Sequence, residues 1–202
     1  HTEQELIDYT WQVAGCVGEF WTELCDRHLG AFASLPTGAL RDMGRRYGMG
    51  LQRLNILRDA GDDLSAGRCY LPQDRLAALG LSPAELAQGV KLRDGTTLER
   101  VAPLFNDYLD LTQAQLLDGL NYSCALNSRR LRVASALPAL IGARTLALLR
   151  QAGPQAWQNQ IKNRIKMPRH EIRALLWRLF WRGASPIAVA QEFVRLSAPA
   201  TP

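Results

Sequence analysis

Gln52, Asn55, Asp59 and Asp63 stand three and four residues apart in the segment Gln52-Arg-Leu-Asn55-Ile-Leu-Arg58-Asp59-Ala-Gly-Asp62-Asp63. On a helix of about 100° per residue they fall within an arc of roughly 80°, and Leu54, Leu57 and Leu64 take the other side. Two carboxylates one turn apart repel when both are ionised, and burying the bare pair raises one pKa. A divalent cation relieves the conflict. Mg²⁺ prefers hard oxygens and uses one or two carboxylates together with phosphate oxygens. The carboxamides can add a metal ligand or hydrogen bonds to a bound anion. Arg58 and Arg68 lie nearby in sequence and suit bidentate pairing with phosphate. Charges at helical spacing equally suit a solvated helix end, so the stripe alone leaves both readings open.

A second segment, Tyr9-Thr-Trp-Gln-Val13-Ala14-Gly15-Cys-Val17-Gly18, puts Tyr9 and Val13 on one helical face. Gly15 and Gly18 remove side chains where a long apolar chain could run close to backbone, and tight helix packing uses glycines in the same way. This segment resembles the Tyr-xxx-Val-Ala-Gly-x-Val-Gly stretch of the squalene/phytoene synthase family. Asn55 to Asp63, followed by Gly67-Arg68-Cys-Tyr70-Leu71-Pro72, is similar to that family's second aspartate-rich motif. Downstream, Tyr122, Ser135-Ala136-Leu137-Pro138-Ala139-Leu140, Thr145-Leu146 and Ile161-Lys162 resemble squalene synthases more than phytoene synthases.

The resemblance implies an all-α, isoprenoid-synthase-type helical bundle around a central cavity. It implies Mg²⁺-dependent head-to-head condensation of two farnesyl diphosphates through a cyclopropyl diphosphate, then NADPH reduction to squalene. Phytoene, dehydrosqualene or hydroxysqualene are the alternative products, and a non-catalytic assembly protein of the same fold is the alternative of another kind. Carried over by position, Asn55, Asp59 and Asp63 would be metal ligands, with Gln52, Arg58, Arg68, Val13 and Gly18 against substrate. Tyr9 matches the tyrosine that handles a proton in the first condensation. NADPH rests on the subfamily resemblance alone, since no GxGxxG fingerprint is present. The family's first aspartate-rich motif lies upstream of the tyrosine segment. Residues 1–202 are therefore expected to be the later part of a single synthase domain, N-terminally truncated and inactive alone.

Helical periodicity runs almost throughout. It predicts helices over Glu3–Phe32, Gly38–Asp63, Leu98–Asn121, Arg130–Gln151, Arg169–Trp181 and Pro186–Leu196, a short helix starting at Pro72, and another capped by Ser82 with Pro83 at its first position. Ser65-Ala66-Gly67 and Gly153-Pro154 read as breaks. No repeat or linker divides the chain.

The chain of 202 residues, 47% hydrophobic and 21% charged, can bury a core without disulfides or metal. Its four cysteines form no CxxC pair, and three scattered histidines make no cluster, so zinc, a disulfide framework and a Cys/His or Ser/His/Asp nucleophile are not supported. Cys16 is expected in the core. No apolar run approaches the ~18 residues of a membrane span, no leader is visible, and a cytoplasmic protein is expected. Residues 1–128 carry 11 basic and 17 acidic side chains, whereas 129–202 carry 13 and 2. Between Arg129 and Arg182, twelve basic residues and one acid, Glu171, are interleaved with Trp157, Trp177, Phe180 and Trp181. This stretch suits peripheral contact with an anionic membrane, or internal pairing with the acidic first part; nucleic acid is not expected.

Overall fold

A computed structural model describes residues 2–158 and 165–198; Ile161 and Lys162 lie outside them. Four helices start where a side chain accepts from their first N–H groups. Thr2 and Glu5 form a capping box at α1 (Glu3–Thr10). Ser82 and Glu85 form another at α5 (Pro83–Leu92), which follows α4 (Gln73–Ala78). Asp94 accepts from Thr96 and Thr97 N–H, so α6 (Gly95–Ala125) starts a turn earlier than its apolar pattern suggests. Ser185 caps α9 (Pro186–Ser197). α2 (Cys16–Leu29), α3 (Thr37–Ser65), α7 (Arg129–Ala152) and α8 (Arg169–Trp181) complete the set. Among the described residues no strand forms, apart from an isolated bridge between Ala33 and Leu126.

The expected single helix from Glu3 to Phe32 is interrupted. A π-helical turn, Trp11–Gly15, joins α1 to α2. Such a turn inserts one residue without breaking the helix axis, and apolar spacing does not reveal it. Pro72 precedes α4 as its cap instead of opening it.

α3 lies between α2 and α6, α7 packs on α6 and also touches α3, and α9 covers α6 and α7. The crossing of α2 on α3 is glycine-built. A Cβ on Gly18 would stand 1.9 Å from the Gly44 carbonyl oxygen, and one on Gly48 would stand 2.2 Å from that of Ala14. Arg46 of α3 forks onto Asp118 of α6 at 2.8 and 2.9 Å. Arg53, only 2% exposed, donates to Gln115 and lies 5.9 Å from the Tyr108 ring centre, while Tyr108 donates to Glu3 at 2.6 Å. Burial lowers the Arg53 pKa. α1, α3 and α6 are thus tied by one buried polar set that the sequence pattern does not announce.

Three expectations are corrected. Cys16 is only half-buried, its thiol donating to the Gln12 carbonyl at 3.0 Å; Cys25 is the core cysteine. Trp157 is not on the basic surface: it is 2% exposed, donates to the Leu57 carbonyl at 2.7 Å and meets Phe105 edge-on. Arg129–Gln158 is long and apolar enough to cross a bilayer, with a mean hydropathy of 1.3 over 18 residues. Here Ala136, Ala139, Leu140, Ala143, Leu146 and Leu149 are spent on the protein's own core, and Arg144 pairs with Glu171.

Gly18→Ala is expected to lower stability by about 2 kcal/mol through overpacking. Gly38→Ala, on an exposed turn of α3 with nothing near its Cβ position, should raise it by about 0.5–1 kcal/mol. Urea midpoints of the two variants check this, and a neutral Gly18→Ala would refute the close crossing. Alkaline pH gives a second prediction. Burial raises Tyr47, Tyr108 and Tyr122 above the ordinary value of 10.0. Their contribution is whole below that value and is lost as pH rises past it, by about 1.4 kcal/mol per pH unit for each of Tyr47 and Tyr108. Melting curves from pH 9 to 11 should decline steeply above 10; a flat profile would contradict the burial of these phenols.

Candidate functional site

α3 carries two kinds of side chain along one side. Toward its start, Gly44, Tyr47, Gly48 and Leu51 line an apolar cavity of about 490 Å³. Toward its end come Gln52, Asn55, Asp59 and Asp63, all half-buried. Both sets lie within an arc of about 160°. The other cavity walls are Val13 and Ala14 of the π turn, Val17 and Trp21 of α2, Tyr122 of α6, and Ala134 and Pro138 of α7. The cavity is open to solvent along Val13 and Val17, 47% and 57% exposed. Tyr47 is held by donating to the Ser135 carbonyl at 2.9 Å, and its ring fills the space beside Gly119.

Gly18 belongs to the cavity wall, yet its missing side chain serves α3 and not a ligand: the place of its Cβ is taken by Gly44. Close packing is therefore the structural reason for this glycine. Val13 does present its side chain to the cavity.

At the polar end, Gly67 adopts φ +78° and closes a Schellman cap, with Gly67 N–H on the Leu64 carbonyl at 3.1 Å and Arg68 N–H on that of Asp63 at 2.8 Å. This reversal brings the Arg68 guanidinium back onto the Asp63 carboxylate at 2.8 Å. Arg58 forks onto Asp59 at 2.8 and 2.7 Å. The two arginines expected to meet phosphate thus neutralise the two aspartates, which answers the repulsion between them. Among the described residues, no three His, Cys, Asp or Glu side chains converge as a metal-binding group.

Tyr9 closes the polar end. Its ring stacks on Tyr70 at 5.4 Å. Burial first, then the hydrogen bond and the charge of Tyr70, raise its phenol above the ordinary value, opposed by a hydrogen bond with Gln52; the Asp63 carboxylate raises it further. Tyr9, Gln52, Asp63, Arg68 and Tyr70 therefore form one cluster from α1, α3 and the turn after α3. Tyr70 was present in the aspartate-rich segment without an assigned role. Only the reversal at Gly67 reveals its place against Tyr9. The cavity residues Trp21, Tyr47 and Leu51 also gave no sequence signal beyond their apolar or aromatic character.

The squalene/phytoene synthase family model matches residues 1–171. Phytoene synthase 1, chloroplastic, of Zea mays is 37% identical over 86 residues, covering 43% of this chain and 20% of that protein. The phytoene synthase of Thermus thermophilus is 38% identical over 90 residues, covering 44% of this chain and 27% of that protein. A solved complex of TcSQS with the ligand BPH1237 superposes with a TM-score of 0.77 at 19% identity, covering the whole of this chain and 56% of TcSQS. The fold is therefore the all-α isoprenoid-synthase fold, and this chain spans about half of the TcSQS chain. The chain belongs to the squalene/phytoene synthase family.

Proposed function

We propose that this chain supplies the second aspartate-bearing half of a Mg²⁺-dependent site joining two prenyl diphosphates head to head. The observation that carries the reading is the sorted side of α3: apolar cavity from Gly44 to Leu51, oxygen-rich stripe from Gln52 to Asp63. A prenyl diphosphate is sorted in the same way, with an apolar tail and an anionic head. The tail would occupy the cavity beside Val13, Tyr47 and Leu51, where water is excluded from a carbocation. Gln52 and Asn55 would orient the head by hydrogen bonds. Arg58 and Arg68 would exchange their carboxylate partners for phosphate oxygens, which suit the same bidentate geometry.

The donors fit Mg²⁺ as a phosphate-bridged ion, since Asp59, Asp63 and Asn55 are hard oxygen ligands and phosphate oxygens complete such a shell. The bound ion would neutralise charge on the departing diphosphate. Tyr9, held protonated by its surroundings, would carry the proton exchanged in the first condensation.

Farnesyl diphosphate as substrate and squalene as product follow the downstream resemblance at Tyr122 and Ser135–Leu140. The phytoene synthase matches favour phytoene as the product to the same degree. NADPH belongs to the squalene reading and rests on the sequence resemblance alone.

Two measurements test this. The full-length gene product is incubated with farnesyl or geranylgeranyl diphosphate and Mg²⁺, with and without NADPH, and extracted lipids are identified by mass spectrometry. Squalene only with NADPH assigns squalene synthesis, and phytoene assigns the alternative. Absence of any condensed lipid would leave the assembly-protein reading. Asp59→Asn and Asp63→Asn should each cost at least about a hundredfold in Mg²⁺-dependent turnover. Tyr9→Phe should cost about a hundredfold in kcat with little change in KM. Titration of inorganic diphosphate into this chain reads the site without turnover: binding should require Mg²⁺ and weaken at least about tenfold in either asparagine variant. Undiminished binding would remove the aspartates from the site.

A further inference from the structure

α8 has one face committed to the fold and one left over. Leu175 and Leu179 are buried, Glu171 is forked by Arg144 at 2.8 and 3.1 Å, and Arg178 donates to Glu192 at 3.0 Å. The remaining arc of about 120° holds Arg169, His170, Arg173, Trp177, Phe180 and Trp181. Trp177, Phe180 and Trp181 are 63, 64 and 68% exposed. Their rings contact one another, with centroids 5.5 to 6.4 Å apart, and the Arg129 guanidinium lies 5.9 Å from the centre of Phe180. Arginines therefore fill the first half of this face and large aromatics the second.

We infer that this face of α8 docks on an anionic lipid surface. Three large rings gathered on one outward face mark an interaction site, not an ordinary surface. Aromatic side chains flanked by arginine are the pattern that seats at the boundary between headgroups and acyl chains. The sign of the partner follows from charge: residues 129–202 carry 13 basic side chains against two acids, Glu171 and Glu192. Both acids are already engaged by arginines, so the outward face keeps its positive character. A second copy seated on this face would set Arg169 and Arg173 against their own counterparts. A nucleic-acid strand needs a groove along which bases stack in succession, and these side chains project from a single helix instead.

Co-sedimentation of the full-length gene product with phosphatidylcholine vesicles, with and without phosphatidylglycerol, tests the inference. The expected result is at least about tenfold stronger binding to the anionic vesicles, weakened by salt. Trp177→Ser, Phe180→Ser and Trp181→Ser together should abolish binding while the circular dichroism and melting curve stay unchanged. Arg169→Gln with Arg173→Gln provides a second, independent variant, which should lose the preference for phosphatidylglycerol. Equal binding to both lipids, or full binding by the aromatic variant, would overturn the inference. So would a wild-type dimer that the aromatic variant makes monomeric, or displacement from vesicles by a single-stranded oligonucleotide. None of these results depends on prenyl transfer, so docking and catalysis fail or stand separately.

Discussion

The glycine crossing of α2 on α3 is the constraint on which the rest of the site depends. With Gly18 backbone against Gly44 and Gly48 backbone against Ala14, the two helices approach closer than any side chain permits. That approach places Val13 and Val17 beside Leu51 and Tyr47 as facing walls of one apolar cavity. It also carries the preceding turn of helix far enough along α3 for Tyr9 to reach Gln52. The π turn at Trp11–Gly15 lies within this approach, after the residue that faces the polar stripe, and itself gives Val13 and Ala14 to the cavity wall. Backbone packing here does not compete with the cavity; it creates the cavity's narrow side.

Electrostatics at the other end of α3 are closed on themselves. Each aspartate is matched by one arginine, Asp59 by its neighbour Arg58 and Asp63 by Arg68 from beyond the helix end. The first pair follows from adjacency in sequence. The second needs the left-handed glycine at position 67, which folds the chain back over the last turn. Under the proposed function, an anionic ligand would meet guanidinium groups already positioned at the carboxylates, and exchanging one oxygen acid for another would conserve their hydrogen bonds. The same cluster keeps Tyr9 protonated through burial and through Tyr70.

The two acids of the basic part are both engaged within it, and its positive excess stays. Glu171 is taken by Arg144 and Glu192, 2% exposed, by Arg178 and Arg195, while Arg150 reaches back to Asp110 in the acidic part. These pairs hold α7, α8 and α9 together. They also account for both acids of the last third, which leaves Arg129, Arg169 and Arg173 exposed near the aromatics of α8.

The Ser82 cap, the apolar side of α3 and the oxygen stripe on its other side were legible because each depends on neighbours within one or two turns. Ser82 with Glu85 and the register of Asp59 and Asp63 required nothing remote. The sequence by itself therefore determined an all-α chain with a carboxylate and carboxamide stripe, and through two motifs its family. Tertiary structure alone decided that Gly18 is a packing residue, that Trp157 is core, and that Tyr70 and Gln52 flank Tyr9. It also decided that an apolar cavity continues the stripe. The physical reason is that helical periodicity reports which side of a helix is apolar, whereas identity of the facing atoms depends on how closely helices remote in sequence can approach.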